Sequence, residues 1–135
     1  MNFLPVYLDT SAILKLILPE EESAALEDAL TQWPDRLSSV LAEVECRRTL
    51  RRIEAPPTAV RRADEVLDGL ILIRFDDALL RLATHVGPPF LRSLDAIHLA
   101  AALSIGDYPE AFITYDDRFA EAARALKLHV VQPGR

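Results

Sequence analysis

The run Val6-Tyr7-Leu8 is apolar, ends on Asp9, and passes at once into a helical pattern, Ala12-Ile13-Leu14-Lys15-Leu16-Ile17-Leu18. A short strand that feeds directly into a helix is the building unit of an α/β sheet. The carboxyl end of such a strand is where open α/β sheets place their ligands. Asp9 stands at that point. A plain structural use also exists for it, as the N-cap of the following helix, and this stretch alone leaves both open.

The alternation continues along the chain. Acids Glu20-Glu21-Glu22 suit the first turn of a helix running to about Trp33, with Leu26 and Leu30 as its apolar stripe. Arg36-Leu37-Ser38-Ser39 reads as a strand entering a helix, either serine being able to cap it. That helix covers Val40 to about Ile53 and stops before Pro56-Pro57. A further helix fits Ala59 to about Gly69. Leu70-Ile71-Leu72-Ile73 is apolar on both faces, as in a parallel sheet covered by helices. Asp76-Asp77 caps a helix to about His85, and Gly87-Pro88-Pro89 forms the next loop. Leu94 to Ile105 is apolar nearly all round, which predicts a buried central helix ended by Gly106. Ala111 to Tyr115 is another core strand, ending on Asp116-Asp117; a helix to about Leu126 and a last strand, His129-Val130-Val131, complete the chain. The expectation is an α/β fold in one domain over residues 1–135, with a central, mostly parallel sheet of four to five strands flanked by helices.

Bulk properties narrow the function. The net charge of −6 argues against a protein that holds nucleic acid by bulk electrostatics. Arg47, Arg48, Arg51, Arg52, Arg61 and Arg62 do crowd one span, either as a solvated face or as a phosphate-facing patch. A single cysteine, Cys46, makes no internal disulfide, which fits a reducing cytoplasm. No run approaches the roughly 18 to 20 apolar residues of a membrane span, and the first residues lack the features of a signal peptide.

Four acids, Asp9, Glu43, Asp95 and Asp116, are candidates for one site. On the Val40–Ile53 helix, Ala42, Cys46, Leu50 and Ile53 share an arc. Glu43 falls at its edge and Glu45 well off it, so Glu43 is expected to face inward, unless it simply pairs with Arg47 one turn on. Asp95 opens the apolar helix, where a buried charge needs a partner; Ser93 is available for capping instead. Asp116 ends a core strand as Asp9 does, and Asp117 competes with it for the cap. Acids that converge with no obvious cationic partner repel one another and raise their pKa values, which a divalent ion relieves. Oxygen donors without a Cys/His cluster suit Mg²⁺ or Mn²⁺ rather than zinc. His98 reads as a satisfied core histidine. With no nucleophile triad and no glycine-rich phosphate loop, metal-assisted hydrolysis of a phosphodiester is the chemistry that remains. A receiver-like phosphate-accepting module has the right size, but Asp76 is poorly placed for it and Lys127 follows a helix, not a strand.

Leu8-Asp9-Thr10-Ser11-Ala12 resembles the opening motif of PIN domains. Ala42-Glu43-Val44 resembles their second motif, Leu94 to Ala100 the third, and Thr114-Tyr115-Asp116-Asp117-Arg118-Phe119 the fourth. The likeness spans the chain and is greatest to VapC-type toxins. It implies a metal-dependent endoribonuclease with Asp9, Glu43, Asp95 and Asp116 as ligands of Mg²⁺ or Mn²⁺. Thr10, Ser11, Thr114 and Asp117 would stand behind them, and Arg47 and Arg51 would meet substrate phosphates. It also implies a homodimer and a small VapB-like antitoxin that lays a helix in an apolar groove and blocks the acids with a basic side chain. A PIN-like RNA-processing nuclease without an antitoxin is the neighbouring possibility.

Overall fold

A computed structural model describes residues 5–105 and 109–135. Among these, five strands and seven helices alternate: β1 (Val6–Leu8), α1 (Thr10–Ile17), α2 (Ser23–Leu30), β2 (Arg36–Ser39), α3 (Val40–Arg52), α4 (Pro57–Asp68), β3 (Ile71–Ile73), α5 (Asp77–His85), α6 (Ser93–Leu103), β4 (Ala111–Ile113), α7 (Asp117–Ala125) and β5 (Val130–Val131). The expected helix end at Gly106 lies outside the described residues.

The strands form one sheet in the order β3-β2-β1-β4-β5, and every pairing is parallel. Alternation along β1 and β4 divides the core. Val6, Leu8, Ala111 and Ile113 face α1 to α4, while Tyr7 and Phe112 face α5 to α7. On the second face Tyr7 stacks on Phe112 with ring centroids 5.3 Å apart, and Phe112 packs on Phe119 at 5.2 Å. The chain moves outward from β1 through β2 to β3, then returns to the other side of β1 at β4. The order therefore reverses between β1 and β4, and the crevice outside their carboxyl ends is the natural ligand position.

Several local expectations change. The acids Glu20 and Glu22 precede α2 and pair with Lys15 at 3.1 and 3.2 Å instead of entering the first turn. Ser38 and Ser39 make no side-chain cap, and their buried hydroxyls have no hydrogen-bond partner among the described residues. Helix α4 starts at Pro57, whose fixed φ and missing N–H suit a first helical position. Strand β3 lies at the sheet edge with Ile71 52% exposed, so it is not covered on both faces. Ser93 lies inside α6, which has no side-chain cap. Asp76 caps α5 as expected, accepting from the Leu79 N–H at 2.7 Å. Helix α6 is central, with Ala96 and the run His98 to Ala102 buried.

Candidate active site

Two strand ends and three helix starts meet at the reversal point. The Asp9 N–H donates to the Ile113 carbonyl at 3.2 Å, which ties the end of β1 to the end of β4. Asp9 is buried and does two jobs at once. Its Oδ1 caps α1, accepting from the Ala12 N–H at 3.0 Å and from the Ser11 hydroxyl at 2.6 Å. Its Oδ2 accepts from the buried Thr114 hydroxyl at 2.5 Å. Burial pushes the Asp9 carboxyl above its ordinary value, against the pull of the Ser11 and Thr114 hydroxyls. The carboxylate that caps α1 thus also lines a cleft, so the cap does not take it out of reach of a ligand.

Asp116 caps α7 through Oδ1, accepting from the Phe119 N–H at 3.1 Å, and its own N–H donates to Thr114 Oγ1 at 3.1 Å. Asp117 points away; it is 83% exposed and lies 3.3 Å from Arg135. Asp95, in the first turn of α6, is raised above its ordinary pKa by burial, and the nearby Asp116 adds to this against the Arg92 charge. A cleft of about 360 Å³ lies between these groups, lined by Asp9, Thr10, Ser11, Glu45, Arg92, Ser93, Leu94, Asp95, His98 and Asp116.

The acid that α3 sends into this cleft is Glu45. Glu45 Oε1 accepts from the Thr10 hydroxyl at 2.6 Å and lies 2.9 Å from His98 Nε2. Burial opposes its charge, but the bonds from His98 and Thr10 prevail and hold the carboxyl below its usual range. Glu43 does not face the cleft. Its side chain is 45% exposed against 25% for Glu45, and it pairs with Arg47 at 3.4 Å. The expectation of an inward Glu43 is corrected for a physical reason. The apolar arc of α3 points to the core shared with α1 and α4, whereas the cleft lies on the flank of that arc. Ile53, used to define the arc, is beyond the helix and exposed.

The arginine cluster does not reach the site either. Arg47 is held between Glu43 and Asp64, the latter at 2.9 Å, and Arg51 is exposed. Neither lines the cleft. The cation that does is Arg92, 3.4 Å from both Asp95 Oδ2 and Asp116 Oδ2, so the acids are not without a positive partner. Among the described residues, no three acid, histidine or cysteine side chains are drawn into a ready-made metal cage. Among the described residues no lysine lines the cleft, as a receiver-like arrangement would need.

Comparison with known proteins places the chain in a family. The PIN domain family model matches residues 6–125. Ribonuclease VapC47 of Mycobacterium tuberculosis is 40% identical over 133 residues, covering 96% of this chain and 97% of that protein. Ribonuclease VapC46 of the same species is 44% identical over 128 residues, covering 95% and 97%. Among solved structures, VapC20 of Mycobacterium tuberculosis, described as a Sarcin-Ricin loop cleaving toxin, superposes with a TM-score of 0.72 at 18% identity, covering 95% of this chain and 99% of that one. VapBC2 from Rickettsia felis, bound to a DNA fragment from its promoter, gives 0.74 at 12% identity, covering 96% and 99%. This chain belongs to the PIN-domain family.

Proposed function

We propose that residues 1–135 form one nuclease domain, the toxin of a toxin–antitoxin pair, which hydrolyses RNA phosphodiester bonds with the help of a divalent metal. The observation that carries this reading is the convergence of Asp9, Glu45, Asp95 and Asp116 on one cleft at the point where the sheet order reverses. The high identity to proteins named ribonucleases supports RNA as the substrate class.

The residues fit a hard divalent cation. All four candidate ligands are carboxylates, which suits Mg²⁺ or Mn²⁺. Burial disfavours the charged forms of Asp9 and Asp95, and a bound cation reverses that penalty. Asp9, Glu45, Asp95 and Asp116 would hold it, Glu45 standing where the sequence suggested Glu43. When bound, the ion supplies Lewis acidity toward water and the scissile phosphate. The chain does the rest. Thr10 orients Glu45, and Ser11 and Thr114 orient Asp9. The planar guanidinium of Arg92 at the cleft is matched to phosphate oxygens, a role that Arg47 and Arg51 are not placed to fill.

The partners follow from the surface beside the site. An apolar groove of about 990 Å³ runs past Phe90, Leu91, Ala122, Ala125 and Leu126 and shares Arg92 and Asp95 with the acid cleft. Phe90 is 86% exposed. An amphipathic antitoxin helix fits that groove, with a basic side chain reaching the acids. The likeness to VapC-type toxins supports a homodimer. No helix among the described residues is long and apolar enough to cross a membrane, and the buried free Cys46 suits the reducing cytoplasm proposed as its compartment.

The test is cleavage of a structured RNA by wild type and Asp95→Asn, with and without Mn²⁺. Cutting by wild type alone, abolished by chelation, is the expected result. Wild type with Mn²⁺ that cuts no RNA and arrests growth no differently from Asp95→Asn would overturn the reading.

A further inference from the structure

His98 is 3% exposed, and both ring nitrogens are engaged. Nδ1 lies 2.8 Å from the Tyr7 hydroxyl, and Nε2 lies 2.9 Å from Glu45 Oε1. A carboxylate only accepts, so the Nε2 proton points at Glu45. In the neutral tautomer with that proton on Nε2, the ring accepts at Nδ1 and the Tyr7 O–H donates to it. The ring stands edge-on to Tyr7 at 5.9 Å and to Phe119 at 6.3 Å, which leaves little freedom to rotate. The core role expected from the sequence is therefore filled, but one partner of this histidine is a wall of the acid cleft.

The relay joins three elements that carry acids. Tyr7 is on β1, two residues before Asp9; His98 is on α6, one turn after Asp95; Glu45 is on α3. Glu45 is otherwise a long side chain on a helix flank, with rotamer freedom to lose on ordering. Both of its hydrogen bonds, from Thr10 and His98, fall on Oε1, so neither occupies Oε2. We infer that the Tyr7–His98 pair is a positioning device that fixes the Glu45 carboxylate against the other acids and presents its second oxygen to a divalent cation. The inference rests on the metal reading above. It assigns no proton transfer to His98; the histidine acts through Glu45.

Calorimetric binding of Mn²⁺ to wild type, His98→Leu, His98→Gln and Tyr7→Phe tests it, alongside thermal melting and the kinetics of RNA cleavage. Removing a residue that orients a metal ligand costs about ten-fold or more in metal affinity. His98→Leu is expected to show that loss and a fall in kcat with the KM for RNA unchanged. His98→Gln, which keeps an N–H donor, recovers most of both. A His98→Leu protein that melts cooperatively yet binds Mn²⁺ and turns over as wild type does overturns the inference. If wild type itself binds no Mn²⁺, the metal reading falls and this inference falls with it, a different outcome from equal binding by all variants. Should His98→Leu fail to fold, Tyr7→Phe decides alone. It deletes one oxygen and keeps the stack on Phe112, and unchanged Mn²⁺ affinity and kcat in that variant refute the positioning role.

Discussion

The two glutamates of α3 give a sharp contrast, because they lie two residues apart and face different surroundings. Glu43 is 45% exposed, and its contact with Arg47 is 3.4 Å long. Exposed pairs of this kind contribute roughly 0 to 1 kcal/mol, and Arg47 keeps its shorter bond to Asp64 when Glu43 is replaced. Glu43→Gln should therefore shift stability by about 0.5 kcal/mol or less and leave cleavage unchanged. Glu45→Gln keeps the shape and still offers an oxygen to Thr10 and His98. Two charge-assisted bonds become neutral ones, roughly halving their strength, at a cost of about 1 kcal/mol to the fold. The loss at the site is larger, because the variant removes a full negative charge from the ligand set proposed for the cation. Several kcal/mol of charge stabilisation ride on such a cation, and about 3 kcal/mol is at least a hundredfold in rate. The assay is RNA cleavage with Mn²⁺, with each variant's folding checked by denaturation. An active Glu45→Gln beside an inactive Glu43→Gln would refute the assignment and restore the expectation from the helical arc.

Thr114→Val leaves Asp9 Oδ2 without its buried donor, so urea denaturation should show a loss of about 1.5 to 3 kcal/mol. Leu99→Ala opens a cavity at a fully buried position of α6, with an expected loss of about 2 to 5 kcal/mol by the same method. The hydrogen bond from Lys15, helped by its charge, holds the Glu22 carboxyl below the usual glutamate range. That stabilisation is complete above the ordinary glutamate pKa and is lost as the pH falls through the lower folded value; Lys15→Met should flatten the acid limb of the stability profile, and an unchanged limb would show that the pair contributes nothing.

The fold was legible where local pattern and tertiary position coincide. Val6-Tyr7-Leu8 and Ala111-Phe112-Ile113 are apolar on both faces because they lie in the middle of a parallel sheet with helices on each side. Leu70-Ile71-Leu72-Ile73 has the same composition, yet Ile71 is half exposed. An apolar run says that a strand exists, and the order of strands, which decides whether both faces are covered, is set by the packing of the whole chain. Glu20 and Glu22 carry the same lesson. Acids before a helix suit its dipole, an effect of about 0.3 to 1 kcal/mol. The nearly buried Lys15 ammonium is a stronger attraction, and the two carboxylates turn to it.

The site was legible one acid at a time where an acid's position follows from backbone direction alone. Asp9 and Asp116 follow core strands, so their placement in the crevice needs only the parallel sheet. Asp95 needs only the start of α6. A glutamate in mid-helix is different, because its direction depends on the rotation of α3 about its own axis. The apolar residues Ala42, Cys46 and Leu50 set that rotation by burying against α1 and α4. Their arc locates the core, and the cleft lies off the core, at the end of β1. The partners that mark Glu45, Thr10 and His98, are 35 and 53 residues away in sequence, so no spacing rule within α3 contains them. What distinguishes Glu45 from Glu43 is a histidine whose own orientation is set by a tyrosine on the first strand, and that relation exists only once β1, α3 and α6 have come together.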